Sequence, residues 1–426
     1  MNKLSNYVPN FGFKGWGIAI LAICFYYFYL GGVFDAGLNT LVGVYNELYG
    51  WSITQIMFFV SLGGWLAVLG IGIFGALCKK KGAKFVSIIG LFLVAVSFLI
   101  VAFSKSLPMF AFGLVMNFVC ATSYGVVGVG QFGANWFPRT KGMYMGIATM
   151  GVTLASATIN LVIHALIPRI GVSGFMIACA VTCVVIAGLV ALVKNYPEEA
   201  GAFPDNDKSV SRAELDVAAQ AAAEYKKNSP WNPKKVLATP ETWKVAIGWG
   251  IPMLASTGVM GQLVPLLITY GHDPMFGIIL LSSMWPCGVL GNYLAGVLDQ
   301  RFGTKAASVL VVFLEALAAL LMIAFGRNAV VVAIATGLFM FAISGCSNIS
   351  MSMTTTVFGR NDFENAWPAI SIISKIIMSS GVVIIALIAE KSSYQTSFIA
   401  IIGIVIIAFI IMLCTKNKCI TNGEPS

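Results

Sequence analysis

One lysine lies in the middle of a strongly apolar stretch, ISIISKIIMSSG, which covers residues 370–381. The ammonium group of Lys375 is a compact charge with three hydrogen-bond donors, which suits it to bind a carboxylate. At the centre of a membrane helix, a charged lysine costs about 2.5 to 3.5 kcal/mol. If the stretch spans a membrane, Lys375 needs an anionic ligand, a carboxylate partner in a structural ion pair, or the loss of its proton.

Polar residues recur around Lys375 at helical spacing. Trp367, Ser371 and Ser379 stand at multiples of four residues from Lys375, so the four side chains share one helix face. Such a face tends to border a cavity, although small and hydroxyl residues also let helices pack closely. We expect a polar cavity. Similar spacing occurs in four other apolar stretches: Tyr29, Gly32, Asp35 and Asn39; Asn117, Tyr124, Gly128, Gln131 and Asn135; Thr149, Thr153, Ser156, Asn160 and His164; and Asn348, Ser352 and Thr355.

Three further ionisable residues lie within apolar stretches. Asp35 could take up a proton or pair with Lys375, or it could simply face water at a helix end. Glu315 is expected to be a protonated, hydrogen-bonded glutamate rather than a proton-coupling site. His164 is expected to be a packing residue rather than a proton relay.

The composition identifies the class of protein. Hydrophobic residues make up 58% of the 426 residues, charged residues 10%, and the mean hydropathy is +0.88. This chain has too little polar surface to coat a globule in water, so we predict an integral membrane protein. Its nine cysteines show no paired metal-ligand spacing and are expected to be packing residues. We expect no metal and no cofactor.

The hydrophobic stretches predict an all-α membrane protein with twelve transmembrane helices. Each stretch has about 20 apolar residues, enough to cross about 30 Å of hydrocarbon. One hydrophilic segment divides the chain into an N-terminal six-helix bundle (1–193), a cytoplasmic linker (194–240) and a C-terminal six-helix bundle (241–426). The predicted spans are 16–45, 52–77, 84–103, 108–135, 142–168, 173–193, 241–270, 275–298, 305–325, 330–357, 365–390 and 395–414.

The distribution of Lys and Arg predicts the orientation. With a cytoplasmic N-terminus, the short inner regions carry fourteen basic residues and the outer loops carry four. Both termini are then cytoplasmic. The net charge of +9 follows from this topology, so it requires no nucleic-acid partner, and the run of lysines at 79–81 is expected to anchor the bilayer surface.

An internal repeat relates the two halves. GALCKKKGAK at 75–84 aligns with GVLDQRFGTK at 296–305 at an offset of 221 residues, and the same offset aligns a second pair of loops. This predicts two parallel six-helix repeats, related by an axis along the membrane normal. The aligned pairs include Gly75 with Gly296, Gly82 with Gly303, Lys84 with Lys305, Lys80 with Arg301, and Arg139 with Arg360.

The duplicated loop with its pattern G-x-L…G-x-K resembles the signature of the major facilitator superfamily. Asp299 stands one place earlier than the usual aspartate, and Lys79 replaces it in the first copy. The stretches NWFPRTKGMYMGIATMG, SPWNPKKVLATPETW and FGRNDFENAWPAISIISK are similar to the oxalate/formate antiporter group and its monocarboxylate-transporter relatives. The resemblance implies transport by alternating access. It also implies that Lys375 binds the substrate carboxylate.

These observations lead to a set of functional expectations. We expect a small organic anion as substrate, with a proton or a counter-anion as a possible partner. In the family that the chain resembles, the dicarboxylate transporter carries a basic residue in span 8; residues 278–296 contain none, and this difference favours a monocarboxylate. The expected substrate-binding residues are Lys375, Tyr29, Tyr124, Gln131, Asn348, Trp367 and Ser371, the coupling candidates are Asp35, Glu315 and His164, and the gating-loop residues are Gly75, Gly82, Lys84, Arg139, Gly296, Asp299, Arg301, Gly303 and Arg360.

Two alternatives remain open: an exporter of amphipathic or drug-like compounds, and a non-transporting sensor on the same fold. We expect no enzymatic activity, because the sequence shows no nucleophile–base pair, metal-ligand set or phosphate-binding loop. The protein is expected to be a monomer in the lipid bilayer of a plasma membrane, by family resemblance a bacterial inner membrane.

Overall fold

The computed structural model describes residues 11–29, 32–137, 141–208, 231–358 and 362–415, with the single residues 217, 220, 224, 229 and 420. Within these residues, every regular element is helical. The helices are α1 (Gly12–Tyr29), α2 (Leu38–Tyr49), α3 (Ile53–Lys81), α4 (Ala83–Ala102), α5 (Leu107–Thr122), a π-helix (Ser123–Gly128), α6 (Val129–Trp136), α7 (Lys141–Leu192), α8 (Pro233–Ala238), α9 (Pro240–Met260), α10 (Leu263–Thr269), α11 (Pro274–Ser283), α12 (Trp285–Phe302), α13 (Thr304–Phe325), α14 (Ala329–Phe358), α15 (Phe363–Ser379), α16 (Gly381–Lys391) and α17 (Tyr394–Cys414).

The helices account for the twelve predicted spans. Ten helical stretches in the described residues are long and apolar enough to cross a membrane, and one bent pair, α9 with α10, could form another span. The stretch Ile147–Leu192 has 46 residues, about 69 Å of helix, which is twice the thickness of the hydrocarbon core. It contains a non-helical residue, Gly171, at φ 71° and ψ 170°. This stretch therefore contains predicted spans 5 and 6, and the predicted all-α membrane fold is confirmed.

Span 1 differs from its prediction. The sequence predicts one continuous helix over 16–45, but α1 ends at Tyr29 and α2 begins at Leu38. Residues 32–37 form bends and turns between them. Two glycines and an aspartate in this stretch weaken helix propensity.

Contacts between Cα atoms divide the chain into two compact units. Unit 1 contains residues 1–34, 66–155 and 165–224. Unit 2 contains residues 35–65, 156–164 and 225–426, so it includes parts of spans 1, 2 and 5 together with the C-terminal helices. The sequence-derived boundaries at 193 and 240 stay a prediction.

The two repeated loops have the same backbone conformation. Gly82 has φ 85° and ψ 165°, and Gly303 has φ 84° and ψ 158°, each at the start of a helix. This region of conformational space is almost restricted to glycine, which explains why both repeats carry glycine there. The 221-residue offset found in the sequence therefore also relates the local structure of the two loops.

The lysines that follow these glycines also occupy matching positions. The Lys84 ammonium donates to the Ala191 carbonyl at 2.5 Å, at the end of span 6. The Lys305 ammonium donates to the Leu413 carbonyl, also at 2.5 Å, at the end of span 12. The last carbonyls of a helix lack partners within the helix and carry partial negative charge. Both lysines thus cap the final helix of their own repeat.

Candidate functional site

Lys375 lies in the first helix of span 11, α15. The apolar span runs from Ala366 to Lys391, which places Lys375 about 14 Å along the helix from its first residue. The side chain is half-buried. Among the described residues, none of the carboxylates comes within the 4.0 Å ion-pair limit of the Lys375 ammonium. A cation therefore lies deep in the span without a direct ion pair in the described structure.

Asp35 is the acidic residue whose charge interacts with Lys375. Both residues belong to unit 2, and their opposite charges attract each other at a separation above the 4.0 Å limit. Asp35 lies in the irregular segment between α1 and α2, and its side chain is exposed. The role of Asp35, as a proton-coupling carboxylate, a partner of Lys375 or a water-facing helix-end residue, stays a prediction.

Trp367 and Ser371 lie on the same helix face as Lys375, as their spacing predicts. Both are half-buried, and the Ser371 hydroxyl donates to the Pro368 carbonyl at 3.0 Å within its own helix. Ser379 contributes to packing instead: a Cβ on Gly64 would lie 2.4 Å from its hydroxyl oxygen. On this helix face, Trp367 and Ser371 are thus half-buried near Lys375, whereas Ser379 forms a close contact with another helix.

Tyr29 packs against the segment of unit 1 that contains Tyr124. The next residue, Gly125, allows this close approach, because a Cβ there would lie 2.2 Å from Cγ of Tyr29. The Tyr124 ring packs against Phe25 with 5.5 Å between ring centroids. The Tyr124 hydroxyl is buried and has no hydrogen-bond partner in the described part of the chain. It is therefore a buried polar group for which the described residues supply no partner.

The π-helix Ser123–Gly128 changes the face that span 4 presents. A π-helix has a wider turn than an α-helix, so residues before and after it do not keep the predicted 3–4 register. Asn117, before it, donates to the Ser97 hydroxyl at 2.9 Å and is buried. Gln131, after it, is exposed and donates to Asn135 at 2.9 Å. The set predicted for span 4 therefore includes a packing contact with span 3.

The other two coupling candidates have different surroundings. Glu315 is fully buried and accepts a hydrogen bond of 2.5 Å from the Ser256 hydroxyl. This is the hydrogen-bonded setting that the sequence interpretation favoured. His164 is exposed and forms no hydrogen bond to another described residue, and its expected role stays a prediction.

The gating-loop residues form no ion-pair network within the described residues. Arg301 is exposed and Asp299 is half-exposed. The ion pair of 3.1 Å found within the described residues joins Lys244 to Glu241, neither of which is a gating-loop residue. Gly75 and Gly296 have open space where a Cβ would stand. Arg139, Arg360 and the side chain of Asn348 lie outside the described residues.

Sequence analysis missed Trp65 in span 2. Its indole N–H donates to the Ile376 carbonyl at 3.1 Å and to the Ser380 hydroxyl at 3.2 Å. Ile376 directly follows Lys375, so Trp65 contacts the helix beside this half-buried cation. Tryptophan in an apolar span is ordinary, and the single sequence carries no signal for this long-range contact.

The sequence matches one established family. A profile described as Major Facilitator Superfamily matches residues 18–358, which is most of the chain. The chain belongs to the major facilitator superfamily. Membership identifies it as a multi-pass membrane transporter. No curated protein matches the sequence.

Solved structures of facilitator transporters share the fold. A bacterial homologue of the human lysosomal transporter Spinster, in an inward-facing and occupied conformation, has a TM-score of 0.67 at 11% identity, covering 94% of this chain and 95% of that one. A mutant of the nucleoside transporter NupG has a TM-score of 0.68 at 14% identity, covering 95% of this chain and 100% of that one. At these identities the facilitator fold is shared, and the cargo has to be argued from the residues of this chain.

Proposed function

We propose that this facilitator is a secondary active transporter of small organic anions, with monocarboxylates as the favoured cargo. It would move the anion with a proton or in exchange for another anion. It would lie in a plasma membrane, a bacterial inner membrane, with both termini in the cytoplasm. The observation that carries the proposal is Lys375, a cation about 14 Å along an apolar span without an ion pair in the described residues.

The surroundings of Lys375 suit an anion. A half-buried ammonium loses part of its hydration, and a carboxylate, which accepts hydrogen bonds through both oxygens, can replace several of the lost hydrogen bonds at once. Asp35 reduces the cost of the charge in the empty protein, because opposite charges attract even at longer range. Since this partner does not contact the ammonium, Lys375 keeps its donors for the cargo.

The same pair offers a route to coupling. When an anion binds, Lys375, Asp35 and the cargo together carry one net negative charge if Asp35 stays ionised. Transfer of a proton to Asp35 would neutralise the loaded site, which gives symport of the anion with a proton. If Asp35 stays ionised, the loaded site keeps its net negative charge. One bound anion then leaves only as another anion takes its place at Lys375, which gives exchange.

The number of basic residues supports a monoanion. In the predicted span 8, residues 278–296 contain no Lys, Arg or His. A dianion would need a second group to balance its charge in a medium of low dielectric. The single positive charge of the Lys375 ammonium balances the single negative charge of one carboxylate.

The test is uptake by proteoliposomes of a labelled panel: several small monocarboxylates, a dicarboxylate, a neutral nucleoside and an amphipathic cation. Uptake is measured with an imposed pH gradient, with internal counter-anion, and with neither. Lys375→Gln removes the charge and keeps a polar side chain. Lys391→Gln is the matched control, because Lys391 is exposed at the far end of the same span.

The proposal expects uptake of at least one monocarboxylate, loss of that uptake in Lys375→Gln, and normal uptake in Lys391→Gln. Stimulation by the pH gradient would identify symport, and stimulation by internal anion would identify exchange. The proposal is wrong if folded Lys375→Gln transports the acid normally, or if only the nucleoside or the amphipathic cation is taken up. Ligand binding without uptake would indicate a sensor.

A further inference from the structure

Two spans of unit 2 are interrupted in their backbone. Span 7 bends by 60° between α9 and α10. Span 11 is broken between α15 and α16, where Ser380 ends one helix and begins the next. A helix break leaves carbonyl and amide groups without their usual partners. In the hydrocarbon region such groups have to find partners within the protein.

Asn39, at the start of α2, supplies partners at the break of span 7. Its amide nitrogen donates to the Met260 carbonyl at 2.9 Å, and its amide oxygen accepts from the Val264 N–H at 3.4 Å. One buried side chain therefore joins the last residue before the break to the helix after it. The offset of 221 residues that relates the two repeats also aligns Asn39 with Met260.

Trp65 supplies one of two partners at the break of span 11. The Ser380 N–H bonds to the Ile377 carbonyl at 3.1 Å, three residues back, and not to the Ile376 carbonyl that a continuous α-helix would use. The Ile376 carbonyl accepts instead from the Ser380 hydroxyl at 3.0 Å and from the Trp65 indole N–H at 3.1 Å. The close contact between Gly64 and Ser379 holds Trp65 against the break.

These two contacts have one feature in common. In both, a side chain from residues 35–65 donates a hydrogen bond to a carbonyl that has lost its usual backbone partner at a break in a C-terminal helix. Thr40 fixes the same segment from another side, because its hydroxyl donates to Asn160 in span 5 at 3.0 Å. The Trp65 contact lies one residue from Lys375 along span 11.

We propose that Asn39 and Trp65 are positioning residues for transport, which hold residues 35–65 against the breaks of spans 7 and 11. In the topology that the basic residues predict, Asn39 and Met260 lie towards the outer ends of their spans. A cargo that reaches Lys375 from outside requires the outer ends to separate, so these hydrogen bonds break in the outward-open state. They stabilise the state that is closed to the outside, whichever cargo is transported.

The test measures separation of the outer ends without a substrate. Spin labels are attached through bio-orthogonal side chains at positions 47 and 391, since Glu47 and Lys391 are exposed near the ends of α2 and α16. Double electron–electron resonance then gives the distance distribution in the purified, full-length protein. Native cysteines stay unchanged.

Asn39→Leu should increase the ratio of long to short distances about 2- to 10-fold, the equilibrium change that corresponds to one net hydrogen bond. Trp65→Phe keeps the ring, removes the donor and should shift the ratio in the same direction. Two controls remove side-chain hydrogen bonds that are local. Asn328→Leu removes a bond of 3.0 Å to the Val330 N–H, and Trp243→Phe removes a bond of 2.8 Å to the Leu237 carbonyl.

The proposal stands if both variants raise the long-distance population while both controls match the wild type. It is overturned if folded Asn39→Leu and Trp65→Phe keep the wild-type distribution, or if the controls shift by the same amount. Gel filtration and thermal unfolding establish that each variant is folded. If Asn39→Leu does not fold, Trp65→Phe alone decides between these two outcomes.

Discussion

The Ser256 hydroxyl donates a hydrogen bond of 2.5 Å to Oε1 of Glu315, and this bond joins span 7 to span 9. Glu315 is fully buried, and its second oxygen, Oε2, has no hydrogen-bond partner in the described residues. A buried carboxyl group with a single partner depends strongly on that partner. The bond therefore joins span 7, at a residue that precedes its break, to span 9, and both belong to unit 2.

Removal of the serine hydroxyl should destabilise the protein. Ser256→Ala leaves both oxygens of a buried carboxyl group without a partner, and we expect a loss of about 1 to 3 kcal/mol in the free energy of unfolding. Thermal unfolding in detergent measures the effect. Ser308→Ala is the control, since Ser308 is equally buried but bonds only to the Thr304 carbonyl of its own helix. Equal melting temperatures for the two variants would show that the bond to Glu315 contributes little.

A neutral replacement of the glutamate should be tolerated. Glu315→Gln keeps an oxygen that can accept from Ser256 and removes the ability to ionise. If Glu315 stabilises the helix pair and takes no part in coupling, this variant keeps nearly the wild-type melting temperature and the wild-type response of uptake to a pH gradient. Proteoliposome uptake with and without the gradient provides the comparison. A folded variant that loses the gradient response would assign the coupling proton to Glu315.

Replacement of Asp35 should change coupling more than binding. Asp35→Asn removes the charge that interacts with Lys375 and keeps a side chain of similar size. For symport, we expect uptake of the acid to lose its dependence on the pH gradient while exchange between internal and external acid continues. Counterflow assays separate the two activities. Glu47→Gln serves as the control, because Glu47 is an exposed carboxylate in unit 2; gradient-driven uptake that persists in Asp35→Asn contradicts this role.

Glycine at the start of span 9 should be required for its backbone conformation. Gly303 has φ 84° and ψ 158°, and a Cβ there would meet no atom within 4 Å. Gly303→Ala therefore tests backbone strain alone, and we expect a cost of about 1 to 3 kcal/mol. Gly296→Ala also places its Cβ in open space, but inside a helix, where alanine is favoured over glycine. The melting temperature should fall for the first variant and stay equal or rise for the second.

Much of the fold could be predicted from the sequence because the membrane imposes simple rules. A span needs about 20 apolar residues, so hydropathy locates the helices without knowledge of their neighbours. The repeat could be predicted for a similar reason: the loops at 75–84 and 296–305 need glycine at one backbone conformation, which Gly82 and Gly303 share. Lys375 was conspicuous because a charge inside a span is costly wherever the helix lies.

Interruptions of the helices were not evident from the sequence. The breaks in spans 1, 7 and 11 and the π-helix at Ser123–Gly128 leave hydropathy unchanged. The 60° bend in span 7 and the wider turn of the π-helix change the direction or the register of the residues that follow. A face predicted at constant helical spacing therefore does not continue past them. This is why Asn117 faces Ser97 while Gln131 is exposed near the other end of the same predicted set.

The sequence by itself determined the class of protein, the number of spans, the repeat and the one cation inside a span, since these depend on composition and local spacing. The tertiary structure decided which side chains satisfy the open backbone groups. Asn39 reaches Met260 and Trp65 reaches Ile376 across 221 and 311 residues of chain. Such contacts exist because lipid offers no hydrogen bonds, and the partner is whichever polar side chain the packing of helices brings near.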